Sequence, residues 1–78
     1  MQIGELSAIL KDRYHNAADK QVALSIHLFA IEFAGALENQ TISEICERAD
    51  VPISYGTEIR KGMNIAKYVV LKNRGSGE

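Results

Sequence analysis

The chain is poor in cysteine and lacks a hydrophobic run long enough to cross a membrane. Its 78 residues include one cysteine, Cys46, which excludes an internal disulfide and predicts a reducing, cytoplasmic environment. The segment from Met1 to Glu5 has no basic region followed by an apolar run, so no secretory signal peptide is expected. The longest apolar stretch is interrupted by His27 and Glu32 and is too short to span a bilayer. These absences favour a globular cytoplasmic protein.

Sequence signals of catalysis and of cofactor binding are also missing. The chain has no Gly-x-Gly-x-x-Gly or Walker pattern, and His15, His27 and Cys46 do not have metal-ligand spacing. No pattern near Cys46 would activate a nucleophile, so we expect this thiol to pack within a helix. Glu44 and Glu47 are expected to be solvated, and His27 to be a partly buried structural or interface residue. The sequence predicts a non-enzymatic protein without a metal or cofactor.

The length predicts one small domain over residues 1–72, followed by a flexible tail over residues 73–78. A chain this short buries only roughly 60–65% of its unfolded surface, which favours shared stability with a partner. Residues 1–50 hold four basic and eight acidic groups, whereas residues 51–78 hold five basic and two acidic groups. An acidic body with a basic C-terminal third suits a protein that presents one face to a polyanion. The alternative is a chance distribution in a short chain.

Apolar residues recur at helical spacing along most of the chain, which predicts an all-α bundle. The four expected helices span about 3–15, 20–38, 42–49 and 53–71. Twelve of the sixteen residues from Val22 to Leu37 are apolar. A helix so nearly apolar all round must be surrounded, either by other helices or by a second subunit. We therefore expect a homodimer formed through the second helix, the first helix or both.

The segment from Thr41 to Lys61 has the pattern of two short helices that cross at a tight turn. Thr41-Ile42-Ser43-Glu44 is a capping-box pattern, and Pro52 disfavours helical geometry in the residue before it. Apolar or small residues occupy the positions where the two helices must meet: Ile45, Cys46, Ala49, Val51 and Ile59.

Two positions depart from the usual pattern of such a pair of helices. Asp50 lies where the backbone is usually left-handed, a conformation that glycine adopts more freely. Gly56 stands where a buried aliphatic residue is usual. Three explanations are open for Gly56: it permits a close helix contact, the second helix begins later, or Tyr55 fills the space.

This segment, with the two preceding helices, resembles the small helix-turn-helix proteins and domains of bacteria, phages and mobile elements. The resemblance implies a compact helical domain, often dimeric, that acts in transcription control or DNA binding through its second motif helix. Carried over by position, the expected groove-facing residues are Pro52, Ile53, Ser54, Thr57, Glu58 and Lys61. Side-chain charge adds Arg60 and Lys67 as expected DNA contacts, and the start of the third helix adds Thr41 and Ser43.

The side-chain chemistry gives each of these residues an expected role. Ser54 and Thr57 can bond to bases or phosphates, and Glu58 can accept from a cytosine amino group. Arg60 and Lys61 are the strongest electrostatic candidates, with Lys67 and Lys72 further along. Two alternatives are open for Arg60: a bidentate contact with guanine, or a sideways orientation that meets only phosphate. Thr41 and Ser43 open the third helix, whose N-terminal amides can hold a phosphate.

The sequence leaves other classes of function open. The contact residues could equally form an ordinary solvated helix face. The negative net charge, Glu58 and the apolar second helix favour a protein–protein adaptor that keeps the fold without DNA contacts. RNA binding is a lesser alternative, because Tyr55 and Tyr68 are the only plausible aromatic residues for base stacking.

Overall fold

The computed structural model describes residues 1–69, and this part of the chain is all-α. Five α-helices and two 3₁₀ turns follow one another, with no strand among these residues. The helices are α1 Ile3–His15, α2 Val22–Glu32, α3 Ala34–Leu37, α4 Ile42–Ala49 and α5 Gly56–Ile65. The 3₁₀ turns span Asp19–Gln21 and Ile53–Tyr55. None of these helices has the length and apolar character needed to cross a bilayer. The all-α prediction is confirmed, as are the bounds 3–15 and 42–49.

The helix expected over residues 20–38 is divided. It begins as a 3₁₀ turn, continues as α2 and breaks at Phe33, whose φ of −109° and ψ of 19° depart from α-helical geometry. No proline lies here. Gly35, just beyond the break, lowers helix stability by about 1 kcal/mol relative to alanine. The apolar pattern continues across the break, so periodicity alone gave no sign of it.

The helix expected over residues 53–71 is shorter than predicted. It begins with the 3₁₀ turn, and its α-helical part ends at Ile65. Lys67, Tyr68 and Val69 are all exposed, so packing against the core does not stabilise a further helical turn. Residues 70 and 71, Lys72 and the expected tail at 73–78 lie outside the part of the chain that is described.

All five α-helices contribute side chains to one hydrophobic core. Its largest fully buried members are Phe29, Leu6, Leu10, Ile26, Leu37, Ile45, Ile59 and Cys46. Helix α2 packs against both α1 and α5. At the α2–α5 crossing, a Cβ atom on Gly62 would lie 2.5 Å from Cβ of Ala30 and 2.9 Å from the carbonyl oxygen of His27. Only glycine fits this approach without displacing α2, so Gly62 fixes where α5 sits.

Helix α4 starts at the predicted residue but without the predicted capping box. Thr41 occupies the N-cap position in an extended conformation, and its side chain makes no capping hydrogen bond. The Glu44 carboxylate instead accepts from Arg48 Nη2 at 2.9 Å, one turn further along α4. The hydroxyl of Thr41 is therefore left for other partners at the exposed start of α4.

Candidate nucleic-acid interface

The turn between α4 and α5 is held by backbone geometry. Asp50 adopts the left-handed conformation, with φ 59° and ψ 44°, as its position in the motif predicted. The next residue, Val51, is buried and donates its N–H to the carbonyl oxygen of Cys46 at 2.9 Å. Pro52 then leads into the 3₁₀ turn, and Gly56 continues it in right-handed helical geometry. Residues 53–65 consequently form one nearly continuous helical segment.

The start of this segment lies against the start of α4. A Cβ atom on Gly56 would be 3.6 Å from Cγ2 of Ile42, which is an ordinary van der Waals contact. Gly56 is thus not required by a close approach; that role belongs to Gly62. Tyr55 is partly buried, and its ring meets that of Tyr14 edge-to-face at 5.5 Å between centroids. The α-helix does start late, and Tyr55 packs against the core beside the glycine.

One face of the segment is turned entirely to solvent. Its members recur at spacings of three and four residues, as neighbours on a helix face do. They are Ile53, Thr57, Arg60, Lys61 and Asn64, all exposed. The opposite face carries the buried residues Gly56, Ile59 and Gly62. We call the five exposed residues the outer face of α5.

The carboxylate of Glu58 does not belong to the outer face. Its Oε1 lies 2.7 Å from Nε2 of His27 on α2, and both side chains are less than one-third exposed. The hydrogen bond from His27 holds the pKa of Glu58 below its usual value; partial burial opposes this shift, and the charge of Lys61 adds to it. Glu58 is therefore an ionised group directed at the body of the protein.

Two cations remain on the outer face. Arg60 is exposed. Burial raises the pKa of the Cys46 thiol, and the charge of Arg60 partly offsets this rise. The raised pKa keeps Cys46 protonated within the core, as expected of a packing residue. Nζ of Lys61 lies 3.7 Å from Oε2 of Glu58, but the lysine side chain is 61% exposed and can reach outward.

The other residues expected to contact DNA lie near this face or at its ends. Ser54 and Pro52 are exposed beside Ile53, and Lys67 is exposed just past the end of α5. Thr41 and Ser43 are exposed at the start of α4. The contact between Ile42 and Gly56 brings this end of α4 beside the start of α5.

Sequence reasoning missed two members of this region. Asn64 continues the outer face one turn beyond Arg60, and its spacing of four was a signal that could have found it. His27, as the partner of Glu58, is 31 residues away in the chain, and no local pattern indicates that pairing.

The crossing of α4 and α5, the left-handed turn residue and the buried positions on both helices define a helix-turn-helix protein. More particularly, the chain belongs to the HTH-like domain family, whose model matches residues 2–72. Comparisons with curated proteins and with solved structures gave no match.

Proposed function

We propose that this protein binds double-stranded DNA by placing the outer face of α5 in the major groove. A major groove about 12 Å wide admits one α-helix, and a helix-turn-helix presents its second helix there. The outer face is uniformly exposed, and it combines two cations with hydroxyl and amide groups that can bond to base edges or phosphates.

The observation that carries this proposal is the position of Glu58. A free carboxylate on the reading helix would repel the phosphate backbone. Its hydrogen bond to His27 places it against α2, whereas Arg60 and Lys61 are exposed. We therefore leave Glu58 out of the proposed contacts and assign the electrostatic attraction to Arg60 and Lys61.

The start of α4 supplies the proposed phosphate contacts. Thr41 and Ser43 are exposed there, and the side chain of Thr41 is not engaged in capping. A helix N-terminus carries partial positive charge and unpaired N–H groups, both of which favour a phosphate. Because the start of α4 lies beside the start of α5, the backbone of one DNA strand could contact both helix ends.

We further propose that the protein acts as a homodimeric transcriptional regulator. The support for a dimer is that the core leaves Leu24 and Leu28 of α2 exposed, at 51% and 38%. They are four residues apart and so share one helix face. The exposed residues of α1 include Glu5, Lys11 and Asp12, which makes α1 the poorer candidate for the interface.

The same two leucines also favour the second candidate function, a protein–protein adaptor. In that case, Leu24 and Leu28 would meet a different protein, and the outer face of α5 would be an ordinary solvated surface. The two functions differ in one measurable property, namely salt-sensitive binding to duplex DNA.

The test is selection of the intact chain against a randomised duplex library at two salt concentrations, with its oligomeric state measured in parallel. We expect enrichment of a palindrome whose half-sites are about 10 base pairs apart, and weaker retention at the higher salt. The matched control is an R60A/K61A variant, which should enrich nothing. Absence of enrichment by the wild-type chain at both salt concentrations would reject DNA binding and favour the adaptor.

A further inference from the structure

An apolar side chain stands at the front of the outer face of α5. Ile53 is 65% exposed, more than any other large aliphatic residue in the described range 1–69. Its neighbours Pro52 and Ser54 are exposed as well. The electrostatic and hydrogen-bonding contacts proposed above come from the polar and charged members of this face, and Ile53 can make neither kind of contact through its side chain.

The backbone beneath Ile53 is well supported. The N–H of Tyr55 donates to the carbonyl oxygen of Pro52 at 2.9 Å, and the N–H of Gly56 donates to that of Ile53. Tyr55 packs against the core and so anchors the turn. Ile53 is β-branched, which restricts its χ1 angle. Its methyl groups are presented to solvent in a restricted geometry.

Ile53 lies on the same side of the helical segment as the cations Arg60 and Lys61, so a ligand bound to them would also contact Ile53. It precedes Thr57 by four residues and Arg60 by seven, so all three lie along one side of the segment. A polyanion drawn to Arg60 and Lys61 would therefore cover Ile53 as well. In the major groove of DNA, the apolar feature that base edges display is the C5-methyl group of thymine.

We propose that Ile53 reads the C5-methyl group of one thymine in each half-site. This inference rests on the proposed DNA binding and adds to it the base that the start of α5 selects. Contact between the isoleucine and the methyl group removes apolar surface of both from water. Burial of one such group corresponds to roughly a fivefold change in affinity.

The test uses the palindrome most enriched by the wild-type chain, with each thymine replaced in turn by deoxyuridine. This change removes the methyl group and keeps every hydrogen-bonding group of the base. We expect one position per half-site at which deoxyuridine weakens wild-type binding by roughly fivefold. An I53A variant should bind the thymine and deoxyuridine duplexes equally well. Because Ile53 is mostly exposed, this variant should fold.

The matched control is S54A, measured on the same duplexes, because Ser54 is the exposed neighbour of Ile53. It should lower affinity without changing the preference for thymine. The inference is overturned if the wild type tolerates deoxyuridine everywhere, or if the penalty persists in I53A. Failure of the wild type to bind any duplex would instead reject the proposed function.

Discussion

His27 Nε2 lies 2.7 Å from Oε1 of Glu58, and this contact joins α2 to the side of α5 that faces the body of the protein. It is the only polar side-chain contact between these two helices within residues 1–69. Gly62 allows the two helices to come close enough for it, since α5 crosses α2 one turn further along. The pair therefore holds the Glu58 carboxylate against α2, while Arg60 and Lys61 are exposed.

Removal of His27 should weaken DNA binding through Glu58. In a H27A variant, the carboxylate loses its partner and can turn toward the phosphate backbone. We expect affinity for the enriched duplex to fall roughly three- to tenfold, because the released carboxylate would repel the phosphates at the edge of the interface. Fluorescence anisotropy with a labelled duplex measures the change.

Two further variants separate this effect from damage to the fold. H27Q keeps a side-chain N–H donor and should bind almost as well as the wild type. The double variant H27A/E58Q removes the released charge and should recover most of the lost affinity. Unchanged binding in H27A would show that Glu58 has no influence on the interface.

The stability of the protein should depend on pH through Glu58. Its folded-state pKa lies below the unfolded value, chiefly because of the hydrogen bond from His27. The ionised carboxylate then stabilises the fold above the unfolded pKa of about 4.3, and this contribution is lost as the pH falls through the folded pKa. Between about pH 6 and about pH 3, the free energy of unfolding should fall more in the wild type than in E58Q. Urea titrations at several pH values test this, and parallel curves for the two proteins would refute it.

The two glycines of α5 should respond oppositely to alanine. G56A adds a methyl group at ordinary contact distance from Ile42 and should raise the free energy of unfolding by up to about 1 kcal/mol. G62A places its methyl group 2.5 Å from that of Ala30, so α2 and α5 must separate, at a cost of roughly 1–3 kcal/mol. Thermal or chemical denaturation measures both. Equal effects of the two substitutions would contradict the assignment of the crossing to Gly62.

A charge on α2 should disrupt the proposed dimer. L24E places a carboxylate on the face that Leu24 shares with Leu28, and burying it against a second copy would be costly. Light scattering should show a dimeric wild type and a monomeric L24E. I53E, which alters another exposed aliphatic residue, is the matched control and should stay dimeric. A monomeric wild type would reject the dimer directly.

Local sequence was enough to predict the helices whose signals are local. α1 and α4 have clear amphipathic spacing and distinct ends, and Asp50 was expected in its left-handed conformation because its position in the motif requires it. The break at Phe33 was missed because apolar residues continue on both sides of it. The end of α5 at Ile65 was missed because it depends on where packing stops.

In the candidate site too, local features were predictable from sequence, whereas contacts between distant helices were not. The exposure of Thr57, Arg60 and Lys61 agrees with their spacing on one helix. The position of Glu58 in the motif predicts that it faces the groove, and nothing near it in sequence shows that His27 is within hydrogen-bonding distance. A contact between residues 31 positions apart depends on how α2 and α5 cross. Gly62 permits that crossing because it has no side chain. The periodicity of apolar residues gives no sign of this, since it records only the side chains that are present.

The most direct test of DNA binding through α5 is the salt dependence of duplex affinity in two double variants. R60A/K61A removes both cations of the outer face, and K11A/K20A removes the same charge from α1 and the connection that follows it. We predict that the slope of log K against log salt becomes shallower by about 2 in R60A/K61A and stays nearly unchanged in K11A/K20A. Equal slopes for R60A/K61A and the wild type would contradict the account.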